Sequence, residues 1–134
     1  MPSNPFIWQS RVRFGDTDPS GRIFYISLLH HFDHAEVEFL RSRGVGYNLI
    51  QNANVGFPRV HVECDYTGPL IYDDLMDIAV TVDRVGHASF TLAFEARVNG
   101  RSAAHGKVTI ACIDRQTWRA AALPENLRAA LCQP

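Results

Sequence analysis

The 134-residue sequence is short of lysine, of cysteine and of long apolar runs. Lys107 is its only lysine, and the remaining basic residues are arginines scattered along the chain. The net charge is -1. Nucleic acids and anionic membranes both require concentrated positive charge, so neither is an expected partner. A polyanionic ligand would have to be met by a few local arginines. The three cysteines, Cys64, Cys112 and Cys132, are odd in number, widely spaced and form no Cys-x-x-Cys pair. That argues against zinc and dithiol redox chemistry and for reduced thiols in the cytoplasm. No stretch approaches the roughly 20 apolar residues that span a bilayer as a helix. The opening Met-Pro-Ser-Asn-Pro lacks the basic and apolar regions of a secretory signal. A Gly-x-Ser-x-Gly elbow and a Gly-rich phosphate loop are also missing. No metal and no organic cofactor is therefore expected.

The chain has the length of one domain, 1–134, and at 46% hydrophobic residues it can bury a core. Residues 7–14 end in an alternation, apolar at Val12 and Phe14, that predicts a strand. Residues 15–21 hold two Gly, one Pro, two Asp and a Ser, a dense turn signal. From Phe24 to Arg43 the period changes. Leu28, Phe32, Ala35 and Phe39 follow helical spacing, and Gly44 supplies the stop. A short second helix is expected around Tyr47–Asn52. Strands are then predicted at Pro58–Tyr66, Met76–Val85, Ala88–Val98 and Ser102–Ile113. Asn99-Gly100 between the last two is a hairpin signal. A terminal helix is expected over 124–131, with Pro124 near its start. One strand, one long helix and four strands joined by short turns describe an α+β domain, a helix packed on an antiparallel sheet. With one sheet to cover the helix, a paired subunit is expected.

Asp16 and Asp18 lie between a strand and the start of the long helix. They admit two readings. Aspartate commonly caps helices and forms turns. A carboxylate beside the free N–H groups of a helix start can also act as nucleophile or base, while those N–H groups hold a developing oxyanion. On the long helix, Glu36 falls inside the apolar stripe and Asp33 at its edge. A buried carboxylate needs a partner, a wet cavity or a shifted pKa, so these two line either a wet subunit interface or a substrate cleft. The opposite face carries His30, His31, His34, Glu38 and Arg41. The spacing of His30, His34 and Glu38 imitates a metal site, but nothing else converges on it, and a solvated or inter-subunit polar face is the plainer reading. His61, His87 and His105 are read as structural.

The stretch Val12-Arg-Phe-Gly-Asp-Thr-Asp-Pro-Ser-Gly-Arg-Ile-Phe-Tyr, running into the long helix, resembles the hotdog-fold acyl-CoA thioesterases. Within them it resembles the aspartate-dependent 4-hydroxybenzoyl-CoA type. Tyr72-Asp73-Asp74-Leu75 before a strand fits the same pattern. The resemblance implies a five-stranded antiparallel sheet wrapped around one long helix, a homodimer that pairs further into a homotetramer, and active sites between subunits. It places the catalytic aspartate on Asp18, as nucleophile toward a thioester carbonyl or base for a water, and the carbonyl-polarising N–H on Tyr25. Asp33 takes the position that meets a ring hydroxyl from the partner subunit, and Phe24 and Glu36 are further candidate substrate contacts. For the CoA phosphates only Arg84 and His87 stand where that branch has a basic cluster, and Arg59 is a further candidate. The implied reaction is hydrolysis of an acyl-CoA to free acid and CoA. An acyl-carrier-protein thioesterase and a non-catalytic acyl-binding protein are the alternatives.

Overall fold

The computed structural model describes residues 5–47 and 54–134. Strand β1 (Phe6–Arg11) leads through a 3-10 turn at Phe14–Asp16 into the long helix α1 (Tyr25–Ser42). Five strands follow the short β2 (Val55–Gly56): β3 (Arg59–Tyr66), β4 (Leu75–Val85), β5 (Ser89–Val98), β6 (Arg101–Ala111) and the short β7 (Ile113–Asp114). Helix α2 (Glu125–Leu131) closes the order. The main sheet has five antiparallel strands in the order β1-β4-β5-β6-β3, and β2 pairs with β7. The predicted helix at Tyr47–Asn52 lies, beyond Tyr47, outside the described residues.

Alternation along the central strand β5 sends Phe90, Leu92, Phe94, Ala96 and Val98 into the core. Helix α1 answers with Leu28, Phe32, Ala35, Phe39 and Leu40, and the Phe32 and Phe94 rings stack at 4.8 Å. Burying side chains of this size is worth roughly 1.5–3 kcal/mol each before entropy is counted. Leu127, Ala130 and Leu131 of α2 extend the same core. The β5–β6 hairpin turns through Asn99 and Gly100, both at positive φ (51° and 78°), as the sequence signal requires. No helix among the described residues is long and apolar enough to cross a membrane.

Three elements differ from expectation. The first strand stops at Arg11, and Phe14 is 78% exposed. The Asp16 carboxylate accepts the Arg13 N–H at 2.8 Å and the Asp16 N–H donates to the Arg13 carbonyl at 2.9 Å, which closes the chain into the 3-10 turn. The last long strand breaks at Cys112. Its N–H donates to the Ala88 carbonyl at 2.8 Å and its carbonyl accepts from Ala121 at 2.9 Å, so its bonds go to loops. His31, assigned by spacing to a solvated helix face, is buried at 5% exposure. Its imidazole lies between the Ser10 hydroxyl (2.6 Å) and the Asp16 carboxylate (2.8 Å), polar partners that make its burial tolerable.

Candidate active site

The turn between β1 and α1 is built by its own polar groups. The Asp18 N–H donates to the Arg22 carbonyl and the Gly21 N–H to the Asp18 carbonyl, both at 2.9 Å. Gly21 sits at φ 84°, where a side chain would be strained. The Asp18 Oδ1 accepts the Ser20 hydroxyl at 2.5 Å and the Ser20 N–H at 2.8 Å. These two donors, the hydroxyl foremost, hold the Asp18 carboxyl below its ordinary value. Both act on Oδ1, which leaves Oδ2 for other work. Asp16 has a different occupation. Its carboxylate serves Arg13 and His31, and its carbonyl accepts the Phe24 N–H at 2.7 Å. Asp16 therefore ties the turn to the helix start.

Tyr25 is the first residue of α1, so its N–H has no acceptor within the helix. The positive end of the helix dipole lies at the same place. From the sheet edge, Tyr66 at the end of β3 donates its hydroxyl to the Tyr25 carbonyl and pins that helix start. Burial raises the Tyr66 phenol well above its ordinary pKa, so it stays a donor. Asp18, Ser20, Tyr25 and Tyr66 share one cavity of about 440 Å3 with Gly68 and Leu70. A carboxylate and a helix N-terminus thus face one open space.

Strand β3 runs back along α1 from this point. Tyr25, Leu29, Asp33 and Glu36 recur at helical spacing, and their Cα atoms span about 16 Å at 1.5 Å per residue. Leu29, Phe32, Val62, Phe94 and Val108 make the apolar walls of a second cavity of about 220 Å3, with Asp33, Glu36 and Arg59 at its polar end. Glu36 is 2% exposed. Burial raises its pKa, against the opposing pull of Arg59 and Tyr47. Arg59 Nη2 donates to its Oε2, and the Tyr47 hydroxyl donates to the same oxygen at 2.5 Å. Asp33 is more open, with its carboxylate 3.9 Å from Arg59.

Not every residue singled out in the sequence converges. Phe24 stands beside Tyr25, ring centroids 5.0 Å apart, and is 40% exposed without lining either cavity. Arg84 and His87 flank the β4–β5 turn, where Arg84 reaches the Ser89 hydroxyl at 3.4 Å. Arg59 is not with them. The ladder partners Val85, Phe90, Ile110 and Arg59 form one row across four strands, so Arg59 lies three strand spacings away, about 14 Å. Tyr47, Tyr66 and His31 carry contacts that sequence spacing did not single out. The Asp-Tyr end of β3, two residues before Gly68-Pro69, was the available signal for Tyr66.

Residues 12–131 match the Thioesterase-like superfamily, which takes in the turn that carries Asp16 and Asp18, α1 and the whole main sheet except β1. The chain belongs to the Thioesterase-like superfamily. As a member it is a thioester hydrolase with the hotdog fold. It is 29% identical over 133 residues to the acyl-CoA thioesterase YbgC of Haemophilus influenzae, covering 97% of this chain and 96% of that one. It is 27% identical over 123 residues to a 1,4-dihydroxy-2-naphthoyl-CoA hydrolase of Synechococcus elongatus, covering 90% of both. The solved structure of a gentisyl-coenzyme A thioesterase superposes with a TM-score of 0.85 at 27% identity, over 95% of this thioesterase and 100% of that one.

Proposed function

We propose that this thioesterase hydrolyses acyl-CoA, with an aromatic acyl group such as a hydroxybenzoyl among the preferred substrates. The observation that carries the reading is the shared cavity of Asp18 and the Tyr25 helix start. Asp18 Oδ2 attacks the thioester carbonyl, or takes the proton of an attacking water. The Asp18 carboxyl, held below its ordinary value, is ionised near neutrality, as either role requires. The Tyr25 N–H holds the oxyanion and CoA leaves as the thiolate; in the nucleophilic route a water then cleaves the mixed anhydride on Asp18, releasing the acid and restoring the carboxylate. The cavity between α1 and β3 receives the acyl group, with Phe24 at its approach. Asp33 and Glu36 offer acceptors to a ring hydroxyl. Arg84 and His87 remain the candidates for the CoA phosphates. No metal or cofactor takes part in this scheme.

The chain acts as one domain, as a homodimer that pairs into a homotetramer, in the cytoplasm. The open edge of β3, with Val60 and Val62 exposed, supports pairing through that strand. The acyl-CoA thioesterase, the 1,4-dihydroxy-2-naphthoyl-CoA hydrolase and the gentisyl-coenzyme A thioesterase to which the chain is similar support CoA over a carrier protein as the leaving group.

The test is a panel of acyl-CoA and matched acyl-carrier-protein thioesters with free-thiol detection. CoA thioesters should be cleaved faster, and Asp18→Asn should abolish turnover with folding retained. Activity of that variant within a few-fold of wild type would remove Asp18 from its role. No thiol release from any thioester would leave a non-catalytic acyl-binding protein.

A further inference from the structure

Two cavities meet at one side chain. Arg59 lines both the apolar cavity of about 220 Å3 and a cavity of about 500 Å3 walled by Tyr47, Phe57 and Arg115. Its guanidinium is fixed from several directions. Nη2 donates to the Glu36 carboxylate, Nη1 donates to the Phe57 carbonyl at 2.7 Å, and the group lies 5.6 Å from the centre of the Tyr47 ring. Tyr47 in turn donates to Glu36. Three side chains thus form a braced cluster at the residue that lines both spaces.

The bracing is strong for a physical reason. Glu36 is almost wholly buried, and a buried carboxylate without partners is costly. Swinging Arg59 aside would leave the Glu36 carboxylate with the Tyr47 hydroxyl alone, an unfavourable change even though the Arg59 side chain itself keeps 31% exposure. An apolar chain pressed against the pair would likewise desolvate it and return no hydrogen bond. The smaller space lies below the roughly 300–1,000 Å3 of drug-sized ligand sites, whereas the larger lies within that range.

We propose that Arg59 is a specificity-determining residue which, braced by Glu36 and Tyr47, ends the acyl cavity and limits the length of the acyl group. This rests on the reading of the α1–β3 cavity as the acyl site. Removing the Arg59 side chain joins the two cavities and admits acyl groups that the wild type rejects.

The experiment measures kcat/KM for straight-chain acyl-CoA from acetyl to palmitoyl, with benzoyl-CoA and its para-elongated analogues. It compares wild type with Arg59→Ala, Arg59→Lys and the double variant Arg59→Ala/Glu36→Gln. The double variant removes the stranded carboxylate, and so keeps the test in hand if Arg59→Ala alone fails to fold. The wild-type profile should fall off beyond short or single-ring groups. In the alanine variants the ratio of long to short should rise by about tenfold or more, which is about 1.4 kcal/mol of discrimination. Arg59→Lys should keep the wild-type profile. Parallel profiles for wild type and the alanine variants, with turnover intact, overturn the role of Arg59 in specificity and leave the acyl-CoA reading standing. Failure of the wild type to release CoA from any substrate overturns both.

Discussion

The His31 imidazole, carried on α1, lies 2.8 Å from the Asp16 carboxylate in the turn that presents Asp18. One tautomer satisfies both of its contacts. Nε2–H donates to Asp16, and Nδ1 accepts the Ser10 hydroxyl 2.6 Å away. Burial opposes ionisation of Asp16, but the Arg13 N–H and His31 outweigh it and hold the carboxyl below its ordinary value. Asp16 also accepts the Phe24 N–H through its carbonyl, one residue before the Tyr25 amide. His31 therefore fixes the turn relative to the helix start, and with it the distance between the Asp18 carboxylate and the Tyr25 amide.

His31→Phe should accordingly lower kcat by about tenfold, a loss of about 1.4 kcal/mol in the transition state, because small misplacements are felt in the chemical step. KM should change by less than about threefold, since uniform substrate binding does not involve His31. His31→Gln keeps a donor toward Asp16 and should recover most of the loss. Steady-state kinetics on folded variants check this. A proportional rise in KM, or no recovery with glutamine, would show that His31 only packs.

Removing the Ser20 hydroxyl tests the electrostatics of Asp18 directly. Ser20→Ala deletes the foremost donor to Oδ1 and keeps the N–H. The Asp18 pKa should rise toward the ordinary 3.8, because the charged form loses its main support. The acidic limb of kcat/KM, which reports the free enzyme, should move to higher pH with little change near neutrality. A limb that stays in place would assign it to another group.

Glu36 gives the opposite sign for stability. Its folded pKa is raised above 4.5, chiefly by burial, so the folded state holds its proton longer than the unfolded chain does. Stability linked to Glu36 is therefore fully present below the unfolded value and is lost as pH rises through the folded one. Urea unfolding of wild type at a series of pH values from 4.5 upward should show this fall. Glu36→Gln, which still accepts from Tyr47 and Arg59, should flatten it. The carboxyls of Asp16, Asp18 and Asp114, all lowered, act in the other window. Their contribution is present above 3.8 and is lost as pH falls below it. An equal slope above 4.5 in wild type and variant would contradict the assignment.

The turn that carries Asp18 and the helix start at Tyr25 were legible in the sequence because the turn residues, the change from strand to helix period and the family motif all fall within one continuous stretch. Glu36 was legible as a charge inside an apolar stripe. Its partners were not, because they depend on sheet order. Strand β3 crosses to the far edge beside β6 instead of pairing with β4, its successor in the chain. That crossing lays Tyr66 against Tyr25 and Arg59 against Glu36, pairings with sequence separations of 41 and 23. It also separates Arg59 from Arg84 and His87, which sequence reading had grouped. His31 was misassigned because a helical projection treats one side as core and the other as water. Here the turn around Asp16 covers the second side with polar groups.

Gly106 holds that crossing in place. It lies on β6 opposite Cys64 of β3, and a Cβ there would stand 2.4 Å from the Glu63 carbonyl oxygen and 3.2 Å from the Cys64 Cα. Those are backbone atoms, so relief requires β3 to move. Gly106→Ala should therefore destabilise the fold by about 1–3 kcal/mol, the usual range for overpacking. It should also displace the strand that carries Arg59, Val62 and Tyr66 to the two cavities. Residual activity of the folded fraction should fall through both kcat and KM, because one end of β3 pins the Tyr25 helix start and the other borders the cavity lined by Leu29, Phe32 and Arg59. Urea unfolding and kinetics on the same preparation separate the two effects. Wild-type stability in Gly106→Ala would mean that β3 is not held as close to β6 as these contacts require.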